Sequence, residues 1–162
     1  THHAPRTTHR PTPNTQHPTL FILLHPRIFT LDEAERTLPL VKRIVVDLQN
    51  EYALWRVAVG EFELASAGSL ADGPPAAEVA AAEQEVERLA VRVADLLDEL
   101  EAIGCIMKGV EAGLVDFYAL RDDRLVYLCW RLGESRITHW HDLDTGVDGR
   151  RPIDNLLSTG TA

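Results

Sequence analysis

From Phe29 onward, apolar side chains recur every three or four positions; beyond Gly104 they begin to alternate. Thr30 followed by Glu33 has the S/T-x-x-E form of a capping box, and Leu31 and Ala34 open a helical period. Pro39 falls inside that pattern. Proline is comfortable at the first position of a helix and costly in its interior. The spacing therefore predicts a short helix near 31–37 and a long one from about Leu38 to Ala65. The seam of the long helix is Val41, Ile44 or Val45, Leu48, Tyr52, Trp55, Val59 and Phe62, stepping by three and four after Val45, as in a coiled coil. Residues 66–75, S-A-G-S-L-A-D-G-P-P, are turn chemistry. A second helix follows from about Ala76 to Ala102, with the seam Val79, Ala82, Val86, Leu89, Val93, Leu96, Leu100 and Ile103 and with Gly104 as its closing residue. The two make an antiparallel helical hairpin over 30–103, about 40 Å long at 1.5 Å per residue. Two helices alone leave a flank open, so a small sheet, a second copy or a partner must cover it.

The alternation after Gly104 predicts strands. Leu114–Leu120 and Leu125–Leu132 are rich in β-branched and aromatic residues and flank R-D-D-R, which reads as a β-hairpin. With Asp122 and Asp123 at the tip, Val115 faces Trp130, Phe117 faces Leu128 and Ala119 faces Val126. That oily side is expected to pack on the helices. The other side pairs Asp116 with Cys129, Tyr118 with Tyr127 and Leu114 with Arg131, and is expected to face water or a cleft. Asp-Asp is not the favoured Asn-Gly or Asp-Gly tip, so a slip of one residue stays open. A third extended stretch, Arg136–Leu143, would place Ile137, His139 and His141 on one face and Thr138, Trp140 and Asp142 on the other. The fold class expected is α+β, mainly α: a long antiparallel helical hairpin packed with a small C-terminal antiparallel sheet. Residues 28–153 form one globular domain in this reading, with a β-rich region over 105–153 and a frayed end over 154–162.

Composition changes the picture mainly at the start of the chain. Residues 1–27 are dominated by Pro, Thr and His and show no period, so a disordered tail is expected there, fitting a start extended upstream of the true domain. Its five histidines (His2, His3, His9, His17 and His25) are irregularly spaced, which favours adventitious over specific metal binding. The apolar run Leu20–Leu24 is too short for a secretory signal or a membrane span. The tail carries three arginines and no acid, leaving thirteen basic against twenty-five acidic residues in the rest. An acidic body argues against phosphate-backbone binding, so neither nucleic acid nor membrane is expected as a partner. Cys105 and Cys129 lack C-x-x-C spacing, and a reduced cytoplasmic chain with two buried thiols is the expectation.

Candidate chemistry is confined to the β-rich region. His139-Trp140-His141 aims two imidazoles the same way from a strand. With Asp116 or Glu134 they would make a two-His-one-carboxylate set suited to one divalent transition metal, supported by Asp142, Asp144 or Tyr127. The plainer alternatives are a backbone-bonded and a solvated histidine beside a core Trp140, and an Asp116–Arg131 ion pair across the hairpin. Cys129 opposite Asp116 would be a poor nucleophile, because a carboxylate nearby raises a thiol pKa. No Gly-rich phosphate loop, G-x-S-x-G elbow or H-E-x-x-H occurs in the chain.

F-T-L-D-E-A, L-P-L-V at 38–41, G-L-V-D-F at 113–117, Y-L-C-W-R-L-G-E at 127–134, W-H-D-L-D at 140–144 and G-R-R-P at 149–152 resemble the bacterial family called domain of unknown function 2203. The similarity covers about 28–153. It implies a helical hairpin with a compact C-terminal motif region and brings no established activity. The family pattern matches at Asp116, Glu134, Trp140 and His141 but not at His139, which favours His141 acting with acids. Tyr118 stands where related sequences tend to have proline. Two functions are thus expected to compete. One is a helical-hairpin interaction module meeting a protein partner or a second copy through seam residues such as Trp55 and Phe62. The other is a divalent-metal or small-molecule site formed by Asp116, Glu134 and His141, with His139 optional.

Overall fold

The computed structural model describes residues 26–68 and 76–154. Two long helices, α1 (Leu31–Gly68) and α2 (Ala76–Ile103), pack against each other. A five-stranded antiparallel meander follows: β1 (Cys105–Gly109), β2 (Leu114–Arg121), β3 (Arg124–Arg131), β4 (His139–Asp142) and β5 (Arg151–Pro152), neighbours in that order. A 3-10 turn, Val147–Gly149, joins the last two strands. The fold is thus the α+β hairpin-and-sheet expected. All but Pro26 and Arg27 of the expected tail, most of the 66–75 turn and most of the 154–162 end lie outside the described residues, and Arg27 joins the domain by donating to the Ile103 carbonyl at 3.1 Å.

The capping box forms as read. The Glu33 N–H donates to Thr30 Oγ1 (3.3 Å), and Glu33 Oε2 accepts from both the Thr30 N–H and hydroxyl at 2.8 Å. The break at Pro39 does not occur: α1 is one helix of 38 residues, about 57 Å long, with Pro39 inside it. Proline removes the hydrogen bond that the Glu35 carbonyl would accept. That loss is outweighed by the buried stripe Ala34, Leu38, Val41, Val45 and Leu48, which continues on both sides of an exposed Pro39. The second helix matches its expectation to within a residue. Gly104, at φ 102°, ends it with its N–H on the carbonyls of Leu100 and Glu101.

The hairpin register holds along the whole ladder, from Leu114 against Arg131 to Arg121 against Arg124. The tip accounts for this: Asp122 and Asp123 adopt φ of 49° and 58°, the doubly left-handed geometry of a type I′ turn, which aspartate tolerates. Val115, Phe117, Ala119, Val126, Leu128 and Trp130 accordingly join Val41, Ile44, Val45, Leu48, Leu96 and Leu100 in one core. Phe29 enters the same core, its ring edge-on to Phe117 at 5.3 Å and its N–H on the Tyr118 carbonyl at 2.7 Å.

Two expectations for this region are corrected. The far face of the sheet does not open to water at Asp116, Tyr127 and Cys129, which are all buried. The third extended stretch starts as a strand only at His139, so Ile137 escapes the alternation and is buried in the main core with Trp140. The Ile137 N–H instead reaches across to the Glu35 carboxylate at 3.2 Å.

Gly113 fixes the path from β1 into β2. It sits at φ 61°, its carbonyl accepts the Leu132 N–H at 2.9 Å, and a Cβ there would stand 2.5 Å from Leu132 Cβ. Gly113→Ala is expected to cost about 2–4 kcal/mol, combining left-handed strain with a clash against a backbone-fixed atom. Urea unfolding should show this as a lower midpoint at unchanged slope.

Candidate functional site

Asp116, Cys129 and His141 meet on the far face of the sheet, one from each of β2, β3 and β4. Asp116 faces Cys129 in register, and His141 faces Tyr127, two positions along β3. A carboxylate oxygen, the thiol sulfur and an imidazole nitrogen all lie within 4.8 Å of one another. The three residues are 1 %, 0 % and 2 % exposed.

The protonation of His141 follows from its partners. Its Nδ1 lies 2.8 Å from the Asp142 backbone oxygen, which can only accept, so Nδ1 carries a hydrogen and donates. Nε2 then faces Asp116 Oδ2 at 3.1 Å. A neutral imidazole and a carboxylate would present lone pairs to each other there, so a proton must lie between them or a cation must take its place. Burial is the main influence on Asp116 and holds its carboxyl above the usual range, while Cys129, His141 and Lys108 pull it back down. Asp116 Oδ1 has no hydrogen-bond partner, and the Cys129 thiol, a weak donor, lies near the carboxyl group.

Aromatic rings and ion pairs enclose the cluster. The Tyr127 ring lies 5.4 Å from His141 and 4.9 Å from the Tyr118 ring, with Lys108 Nζ 4.5 Å from the Tyr127 centroid. The Tyr118 phenol is raised, first by its hydrogen bond with Tyr127 and then by burial. Arg150 closes one side, donating to the Cys129 carbonyl at 3.4 Å and to both Glu134 carboxylate oxygens at 2.9 and 3.1 Å.

The structure therefore gathers a different set from the one expected. Asp116 and His141 come together, but Glu134 does not join them. Its carboxylate is held by Arg150 and by the Arg131 N–H, while its backbone carbonyl accepts the Trp130 indole N–H. His139 stays outside too, its Nδ1 hydrogen-bonded to the Thr138 hydroxyl at 2.9 Å. Asp116 pairs with His141, not with Arg131, whose register partner is Leu114. Of the expected supporting groups, Asp142 orients His141 through its backbone oxygen, and its carboxylate pairs with Arg151 at 3.1 Å. Cys129 is the member overlooked as a ligand. The register sum that placed it opposite Asp116 was the signal.

A groove of about 340 Å³ lies elsewhere, between the start of α1 and the turn after β3, lined by Glu35, Lys42, Trp130, Glu134 and Arg136 among others. Glu35 pairs with Arg136 and Glu134 with Arg150, and none of the orphaned buried polar atoms belongs to its lining.

Both thiols are pushed up to about 12, Cys105 by burial and Cys129 by burial and then by the Asp116 carboxylate. At pH 8 the thiolate fraction of each is on the order of one in ten thousand. Iodoacetamide is expected to label neither cysteine in the native chain and both after unfolding in guanidinium. A thiol held above its unfolded value stabilises the fold fully below that value and loses the contribution as pH rises through the folded one. Alkaline unfolding should therefore set in between about pH 9 and 12, and Cys129→Ala should make the chain less sensitive to it.

The motifs of the C-terminal region account for much of this site: G-L-V-D-F supplies Asp116, Y-L-C-W-R-L-G-E supplies Cys129 and Glu134, W-H-D-L-D supplies His141, and G-R-R-P supplies Arg150. No curated protein and no solved structure matches the chain. The model of the family described as "Uncharacterized conserved protein (DUF2203)" matches residues 27–153, from Arg27 just before α1 to Ile153 just after β5. The chain belongs to that family.

Proposed function

We propose that the protein is an interaction module without a catalytic centre, its helical hairpin acting as a docking arm for a second copy of the chain. The observation that carries this reading is a second apolar stripe on α1. Val46, Ala53, Val57 and Leu64 fall within about 40° of one another on the helix, opposite the buried seam. Val57 and Leu64 are 59 % and 77 % exposed, and Leu54 flanks them at 56 %. Scattered surface leucines mean little, but an aligned row marks a contact surface. Trp55 and Phe62, the contact residues expected from sequence, are half-buried on the seam side, and Trp55 stacks on Tyr52 at 5.7 Å.

A second copy suits the stripe by its spacing. Val46, Asn50, Ala53, Val57, Gly60 and Leu64 step by four and three, as a two-helix seam does. Laid antiparallel on itself, the stripe sets Val57 against Ala53 of the second copy and Asn50 against its Gly60, large facing small. Val46 and Leu64 close the ends. Every pair occurs twice, as a two-fold interface requires. The buried, unpaired cysteines fit a reducing, cytoplasmic setting for such an assembly.

Light scattering on the untagged chain is expected to give the mass of a dimer. Val57→Glu combined with Leu64→Glu should raise the dissociation constant at least about 100-fold, or roughly 2.7 kcal/mol, with helicity unchanged by circular dichroism. A monomer at high micromolar concentration, in low and moderate salt alike, would discard the reading.

A further inference from the structure

We infer that Asp116, Cys129 and His141 form a binding site for a single divalent ion of the zinc class, a site that stands apart from the docking arm. The donor set is one oxygen, one sulfur and one nitrogen, which suits a borderline-soft first-row cation rather than magnesium or calcium. His141 Nε2 and Asp116 Oδ2, at 3.1 Å, already stand about as far apart as two ligands of one tetrahedral ion. A carboxylate oxygen of Asp116, the Cys129 sulfur and an imidazole nitrogen of His141 all lie within 4.8 Å of one another.

Two independent observations point to a ligand here. Asp116 Oδ1 is fully buried yet accepts no N–H or O–H bond, an uncommon state for a buried carboxylate oxygen. Nδ1 of His141 is fixed by a backbone carbonyl, as in metal-bound histidines generally, which leaves Nε2 as the ligating atom.

Charge also balances. A divalent ion with one carboxylate, one thiolate and one neutral imidazole is neutral overall, as a site closed to water requires. On binding, the Cys129 S–H bond breaks and the metal–sulfur bond forms. The proton between His141 and Asp116 leaves as well, so two protons go to solvent and nothing is oxidised or reduced. With its ligands drawn from β2, β3 and β4 and all buried, the ion would staple the three strands together.

Cobalt(II) is the probe, because a thiolate ligand gives it a near-ultraviolet charge-transfer band that histidine alone cannot produce. The full untagged chain is refolded from guanidinium with one equivalent of cobalt(II) under reducing conditions. The expected result is that band at one cobalt per chain, bleached by zinc, together with a higher melting temperature than the metal-free chain. Cys129→Ala should abolish the band and Cys105→Ala should keep it. A correctly refolded wild-type chain without the band overturns the site whatever the variants do. So does a band that survives Cys129→Ala. Cobalt bound without the band would assign the metal to other side chains, such as the N-terminal histidines, and would equally overturn it.

Discussion

The pairing of β2 with β3 around the turn at Asp122 and Asp123 decides which side chains meet the helices and which are left on the far face of the sheet. Side chains alternate along a strand, so a slip of one residue would exchange the two sets completely. In the register adopted, Val115, Phe117, Ala119, Val126, Leu128 and Trp130 all reach the core beneath α1 and α2. The same register brings Asp116 beside Cys129 and lets β4 deliver His141 to them. Core and polar cluster are thus two consequences of one turn, and neither can be altered by register without losing the other.

The far face reconciles burial with polarity in two different ways. Around Glu134 both carboxylate oxygens and the carbonyl have donors, from Arg150, the Arg131 N–H and the Trp130 indole, while Arg150 Nε is left without an acceptor. Asp116, by contrast, keeps one oxygen without an N–H or O–H donor and faces His141 Nε2 through the other. A buried pair of this kind costs desolvation that its own attraction only partly offsets. The sheet therefore carries one carboxylate with donors at both oxygens and one with a partner at a single oxygen. That contrast sets Asp116, Cys129 and His141 apart from the surrounding polar residues.

Where local chemistry and tertiary packing agreed, the sequence was sufficient. The capping box at Thr30, the stop at Gly104 and the whole β2–β3 register were legible because each rests on near neighbours and a strict period. Pro39 misled because the packing of Ala34, Leu38, Val41 and Val45 overrides one missing hydrogen bond, and packing is not a local property. Ile137 misled because the chain bends before His139, where a period of two ceases to apply. Glu134 looked like a ligand for want of any way to foresee Arg150 arriving from sixteen residues further on. Cys129 is placed correctly by the register but read only as a buried thiol and a poor nucleophile, not as a ligand. Asp116 and His141 came from periodicity plus chemistry, and their meeting needed only the placement of β4 beside β3.

The bond from the Ile137 N–H to Glu35 joins positions 102 residues apart, and the Arg27 guanidinium reaches the Ile103 carbonyl across 76. Contacts so remote along the chain are closed late, since the intervening segment must first be drawn together against its own entropy. The helices belong to the opposite regime, where neighbours meet quickly. The contact between Glu35 and Ile137 is accordingly expected to be among the last to close. A ribosome would have to release almost the whole domain before that knot could be tied.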